Sequence, residues 1–456
     1  MHNNMRENHN HAASARRQLA AIAIPTLGQL IAEPIFVLID TALVGRIGDI
    51  ALAGLSIGST IILTSVGLCL FLAYSTTAKV SMLMGAGRTR DGLQAGVAGM
   101  WLALGIGIAL MATLVSAAYP LSFAMGAQTS VLDGAVVYVQ TASLGIPGTL
   151  MAYAANGMLR GLKKPGITLW SAISGALINV ILDVVFIFGL GWGVMGSGIA
   201  TCIAQWVMCI ILLAYLAPVL RRNKISLKPL LSDVKDSAGD GAMLFVRTAA
   251  IRVGMVATVM VATAMGTTVL ASYQAVNSSW NLALNILDAI GVGGQALIGT
   301  AIGAKDIPQI HSLLKEIEYA GIRWGVYVGV GFALFGWFAA PLFTTEPSTA
   351  HIIAISMIVV GIFFPYHGWL WALDGVLIGA GDFAYLAKAC TLAALVHVCV
   401  LVIAWRVTVA MSAPPLVQSV ALWLVFNIVF MGVRGLGNIL RAHKDTWIYR
   451  AIAQLN

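Results

Sequence analysis

The chain has 456 residues, of which 59% are hydrophobic and only 10% charged, against roughly 25% charged in ordinary soluble domains. That balance excludes a soluble globular protein. The net charge of +8 comes with no soluble basic domain carrying interleaved aromatics, so no nucleic-acid partner is expected, and the excess reads as topology and contact with anionic lipid headgroups.

Residues 1–16 form a polar tail without a cleavable signal; His2, His9 and His11 within it read as solvated side chains rather than metal ligands. Twelve apolar runs long enough to cross a bilayer follow, near 19–45, 50–83, 92–118, 132–158, 166–190, 193–217, 241–264, 268–302, 319–343, 350–377, 384–408 and 416–439. The expected fold is an all-α polytopic membrane protein.

The first run contains Asp40, flanked by Ile39 and Thr41 in a continuous apolar stretch. An ionisable group at membrane depth costs about 2.5–3.5 kcal/mol on insertion scales, so it is read as functional, here as a proton or cation site. Glu33 lies two turns earlier on nearly the same face and either extends a proton path or lines a cavity mouth. Pro25 and Pro34 interrupt the hydrogen-bond ladder of this helix and permit a bend, static or hinged. In the fifth run Asn179 and Asp183 stand four apart and share a helix face.

The most polar interior stretch, residues 221–240, divides the chain into lobes at 17–220 and 241–442, with a second polar tail at 443–456. The second lobe carries Asp288 and Asp374 as acids and Arg252 as a buried base; Arg252 pairing with one of them is expected, or Asp288 lining a substrate cavity. His397 is a further intramembrane candidate, for the cavity or for packing. Cys69, Cys202, Cys209, Cys390 and Cys399 all fall within apolar runs without paired spacing, which disfavours disulfides and zinc. Gly291-x-Gly293-Gly294 reads as close helix packing, and no nucleotide-binding GxxxxGK[ST] loop is present.

With the N-terminus placed inside, the basic residues from Arg16 to Lys444 gather on one side and only Arg46 and Arg406 fall outside, which predicts two cytoplasmic termini in a bacterial inner membrane. An ungapped shift of 218 residues lays Leu52-Ala53 on Leu270-Ala271, Gly85-Ala86 on Gly303-Ala304, Pro147 on Pro365, and Gly157-x-Leu159-x-Gly161 on Gly375-x-Leu377-x-Gly379. Six helices per half give both halves the same sense, a 6+6 parallel repeat. Under the shift Asp40 falls on Thr258, Asp183 on Leu401 and Glu33 on Ile251, so ion handling is assigned to the first lobe.

The segments Ile24-Pro25…Pro34…Asp40-Thr41-Ala42-x-Val44-Gly45-Arg46, Leu159-Arg160-Gly161, Arg247-Thr248, Leu287-Asp288-Ala289…Gln295-Ala296-Leu297-Ile298-Gly299 and Asp374-Gly375…Gly379-Ala380 together resemble the multidrug and toxic compound extrusion (MATE) family, in its DinF-like branch. The resemblance runs from about residue 17 to 442. It implies two pseudo-symmetric six-helix lobes around a central cavity and exchange of an organic compound for H⁺ or Na⁺. It places Asp40, Asn179, Asp183 and Thr201 in one hydrogen-bonded cluster able to take a proton or a Na⁺, and makes Pro25 a hinge. The NorM-like branch carries a carboxylate in helix seven where this chain has Arg247 and Arg252, so a second-lobe sodium site of that type is not expected.

The expected function is a monomeric secondary antiporter exporting amphipathic, cationic or neutral compounds by alternating access, with no cofactor and no enzymatic activity. A lipid-linked oligosaccharide flippase is the alternative; it would call for more helices and a basic cavity. A channel would want polar rings in both halves.

Overall fold

The computed structural model describes residues 2–229 and 231–455, without the side chains of 2–13, 33, 36 and 231. Among the described residues all regular structure is helical. Among the described residues, eleven helices are long and apolar enough to cross a membrane, or twelve when the bent pair is counted as one span. They are α1 (His2–Gly45), α2 (Asp49–Gly85), α3 (Thr89–Ser116), α4 (Thr129–Ser143 and Ile146–Gly161, bent by 48°), α5 (Pro165–Gly189) and α6 (Gly193–Arg222). The series continues with α7 (Leu231–Ala264), α8 (Thr267–Gly303), α9 (Ile307–Leu342), α10 (Pro347–Gly379), α11 (Phe383–Ala410) and α12 (Pro415–Ala442). The bend in α4 falls where Pro147 withholds its N–H at the start of the second segment.

The chain divides into two compact units, Ile24–Gly241 (the N-unit) and Met1–Ala23 with Ala242–Asn456 (the C-unit). The division differs from a boundary drawn at residue 17. It cuts α1 one residue before Pro25, and the first part of that helix packs with the C-unit: Gly293 lies against Leu19, and Arg16 Nε meets Glu316 Oε2 at 3.4 Å. The polar tail is helical from His2, although the side chains of His2, His9 and His11 lie outside the described residues. Helix α7 starts at Leu231, which leaves a shorter connection than the polar stretch 221–240 suggested. A polar helical start is compatible with the apolar pattern beginning a turn or two later. After α12, the short helix Thr446–Ala453 buries Trp447, Ile448 and Ala451.

Each unit repeats the other's backbone at the same 218-residue offset. Gly48 and Gly266 cap α2 and α8 at φ 142° and 114°, conformations only glycine takes without strain. Left-handed turns recur at Gly87 and Lys305, and at Lys163 and Gly381. Gly107 packs on Pro147 as Gly325 packs on Pro365, and Gly157 meets Ala73 as Gly375 meets Gly291. In both units the glycines let helix backbones approach without an intervening side chain.

In the C-unit, Tyr273, Trp280, Phe364, Trp423, Phe426 and Phe430 belong to one buried cluster. In the N-unit, Val44, Leu55, Tyr138, Ala142 and Ile187 form another, and Leu55, Tyr138 and Ala142 line a cavity together with Asp40.

Candidate functional site

Four helices of the N-unit bring polar side chains to one buried locus: Asp40 from α1, Tyr138 from α4, Asn179 and Asp183 from α5, and Ser197 and Thr201 from α6. Asp40, Asn179, Asp183 and Ser197 are all buried. Asp40 Oδ1 accepts from Ser197 Oγ at 2.6 Å. Asn179 Nδ2 reaches Thr201 Oγ1 at 3.4 Å. With the amide turned so that both its ends are satisfied, Nδ2 donates to Asp183 Oδ2 at 2.7 Å and Oδ1 accepts from the Thr201 N–H at 3.2 Å. The four-residue spacing of Asn179 and Asp183 produces this contact directly.

Asp183 Oδ1 is buried and has no hydrogen-bond partner among the described residues. Immediately after Asp183 the helix widens into a π-helical stretch, Val184–Gly189, a distortion often found at functional sites. The buried Tyr138 hydroxyl faces Thr201 and lies within electrostatic range of both Asp40 and Asp183. A cavity of about 640 Å³ opens beside Asp40, lined also by Val37, Ser59, Tyr138, Thr149, Thr201 and Gln205. Thr41 turns its hydroxyl back onto the Val37 carbonyl at 2.7 Å.

The donor set is all oxygen: two carboxylates, an amide, two aliphatic hydroxyls and a phenol. Such ligands suit a proton shared between carboxylates or a small hard cation. Among the described residues, no group of three or more His, Cys, Asp or Glu side chains is placed to hold a metal ion.

Ser197 and Tyr138 were not anticipated from the sequence. Ser197 stands one turn before Thr201 on the same face of α6, and that spacing in an apolar helix was the available signal. Tyr138 carried none, because a tyrosine in an apolar run reads equally well as packing. Pro25 and Pro34 both lie inside α1, which stays helical through them. The Glu33 side chain lies outside the described residues.

In the C-unit, Asp374 is buried and fully engaged. Its Oδ2 meets Arg247 Nη2 at 2.6 Å and Arg434 Nη2 at 2.8 Å, and its Oδ1 accepts from Asn438 Nδ2 at 2.5 Å. The Arg434 guanidinium also lies over the Trp371 ring, 5.4 Å from its centroid.

The expectation that Arg252 is the buried base is therefore corrected: Arg252 is exposed, and Arg247 and Arg434 take its role. Five residues of α-helix turn the chain by about 500°, so Arg247 and Arg252 cannot face the same partner. Asp288 is half-buried on α8. His397 is buried, with Nε2 2.9 Å from Thr258 Oγ1. The Thr258 hydroxyl gives its own proton to the Gly254 carbonyl at 2.8 Å, so the histidine is the donor in the pair.

Comparison with known proteins accords with this architecture. A family model described as MatE matches twice, over residues 25–185 and 244–403, so the two matches start 219 residues apart. "Protein DETOXIFICATION 43" of Arabidopsis thaliana is 26% identical, covering 95% of this chain and 91% of its own. "DNA damage-inducible protein F" of Escherichia coli (strain K12) is 25% identical over 95% of this chain and 94% of its own. The solved structure of the Vibrio cholerae MATE transporter VcmN in the bent form shares the fold at a TM-score of 0.84, with 20% identity and 98% of both chains covered. With more than half of its length matched by the family model, this chain belongs to the MatE family of membrane transporters and is not an enzyme.

Proposed function

We propose that the chain is a secondary antiporter that exports amphipathic organic compounds, cationic or neutral, in exchange for H⁺ or Na⁺ taken up at Asp40. The observation that carries this reading is the presence of two buried carboxylates, Asp40 and Asp183, within electrostatic range of each other in a cluster of neutral oxygen ligands. Charge loading there is expensive without a cation and cheap with one, so occupancy of the site and conformation become linked.

The names of relatives support an efflux role. "Multidrug resistance protein MdtK" of Edwardsiella ictaluri is 28% identical over 44% of this chain. The basic loops support two cytoplasmic chain ends in a bacterial inner membrane. Export then runs from the face that carries both ends toward the face that carries Arg46. The division of the chain inside α1 at Ala23, next to Pro25, supports that proline as the point where a bend would be felt. Asn179, Asp183 and Thr201 complete the cation site in this reading, and Glu33 belongs to its approach.

The test is transport in proteoliposomes under an imposed pH gradient, with and without Na⁺, for the parent, Asp40→Asn and Asp183→Asn. Gradient-driven substrate flux should vanish in Asp40→Asn while the protein still folds and binds substrate. Flux equal to that of the parent would refute the coupling role. Drive by a Na⁺ gradient alone would assign the ion.

A further inference from the structure

A second cavity, of about 610 Å³, lies in the N-unit, lined among others by Gln29 from α1, Asn156 from α4 and Met208 from α6. It shares Thr149 and Gln205 with the cavity beside Asp40. Both cavities are built wholly within Ile24–Gly241.

Their order along the helices is fixed. Helix α1 runs from Gln29 to Asp40, while α4 and α6 run the opposite way, from Tyr138 through Thr149 to Asn156 and from Thr201 through Gln205 to Met208. The second cavity therefore continues from the acid cluster toward the end of the N-unit at which α4 finishes. At 1.5 Å per residue the stretch from Asp40 to Gln29 is about 16 Å.

The walls of this stretch carry polar atoms at successive turns, in a region where an unsatisfied polar group is costly. Asn156 is 3% exposed, and its Oδ1 has no partner among the described residues. The Thr149 hydroxyl donates to the Gly145 carbonyl at 3.1 Å, which leaves its oxygen free to accept. A roomy cavity with such partners holds water, whereas an apolar one stays dry. One turn beyond Asn156 on α4, Arg160, 4% exposed, donates through Nη2 to Oε1 of the wall residue Gln29 at 3.0 Å. A guanidinium held in this way repels protons and metal cations.

We propose that the two cavities form one water-filled path between the acid cluster and the cytoplasmic face, and that the Arg160–Gln29 hydrogen bond is its gate. Closed, the bolt stops cations from running through the N-unit without substrate exchange; open, it lets the coupling ion leave toward the inside. The gate rests on the cation-site reading given to Asp40 above, but its accessibility can be measured without any transport.

The experiment places a single cysteine, Ala176→Cys, on the cavity wall in a chain whose five native cysteines are replaced. The protein is reconstituted with known orientation. A membrane-impermeant cationic methanethiosulfonate reagent is then applied to either face. Labelling from the face carrying the chain ends should be slow with Arg160 and Gln29 present. It should be about tenfold faster or more in Arg160→Gln and, independently, in Gln29→Leu, since each removes a hydrogen bond to a charged group.

The same two variants should leak protons without substrate, and Asp40→Asn or Asn156→Leu added to either should stop the leak. Labelling only from the opposite face, or at an unchanged rate in both variants, overturns the gate. Faster labelling without a proton leak overturns the ion path and leaves a substrate chamber. If Asp40→Asn transports normally yet both variants open the cavity to reagent, the gate stands and the coupling site is wrong, so the two failures are distinguishable.

Discussion

Where the N-unit holds Asp40, Tyr138, Asn179 and Thr201, the C-unit holds, at the 218-residue offset, Thr258, Ser356, His397 and Ser419. Both sets are polar and both make internal contacts. Thr258 pairs with His397 at 2.9 Å, and Ser419 lies 3.0 Å from Ser356 and 3.2 Å from Ser272. The second set has no carboxylate, because Leu401 stands at the position of Asp183. The repeat thus keeps a polar seam at one depth in both units but charges it in only one. Asp374, a carboxylate that the C-unit buries, sits between two guanidiniums and an amide. Its charge is matched by fixed partners, whereas Asp40 is met by a hydroxyl and Asp183 by an amide. An acid that lacks a fixed cation is the one able to exchange a mobile one.

The largest effect should come from breaking this asymmetry at its source. Asp40→Asn is expected to reduce gradient-driven flux to the level of empty liposomes, while Thr258→Val at the equivalent position leaves it near that of the parent. Loss of coupling in both variants would mean that the two seams act as one site, and the contrast would fall.

The next effect is on stability, and it runs the other way. Asp374→Asn removes the carboxylate that Arg247 and Arg434 both bond to, which should cost about 3–5 kcal/mol, the range for breaking a buried pair. Asp183→Asn should cost about 1 kcal/mol or less, since one of its oxygens already lacks a partner. Thermal unfolding in detergent compares the two; equal losses would remove the distinction between a clamped acid and an exchanging one. Smaller than the loss in Asp374→Asn is that in Ser197→Ala. It deletes the 2.6 Å bond to Asp40, about 1.5–3 kcal/mol for a hydrogen bond to a charged group, and should slow exchange about tenfold to a hundredfold. Unchanged kinetics would show that Ser197 is packing.

The helix count, the repeat and the two acids were legible because each leaves a one-dimensional trace: apolar run length, a constant offset, a charge where none belongs. Azimuth leaves a weaker one. Arg434 precedes Arg441 and Lys444 near the end of the last helix, so it reads as one more inside-positive residue, yet it is buried on Asp374. Arg252 looks buried by hydropathy and is exposed, because rotation of α7 about its axis is set by Arg247 reaching Asp374. The π-helical turn after Asp183 and the assignment of residues 1–23 to the C-unit depend on packing between distant segments, which no local pattern encodes.

The smallest expected effect sharpens the comparison most finely. His397 donates through Nε2 to Thr258 and lies against Phe430, ring centroids 5.0 Å apart; its Nδ1 is buried without a partner among the described residues. If the seam of the C-unit is a neutral structural bond, a side chain that keeps the donor should serve as well as the ring. His397→Gln should then transport within about twofold of the parent, and His397→Leu, which leaves Thr258 without its donor, should lose about 1–3 kcal/mol of stability with no change in the dependence of flux on the gradient. A changed gradient dependence in His397→Gln would show instead that this imidazole binds a proton during the cycle. The C-unit would then hold a second loading site at the place the repeat reserves for it, and the difference between the units would be one of chemistry rather than of role.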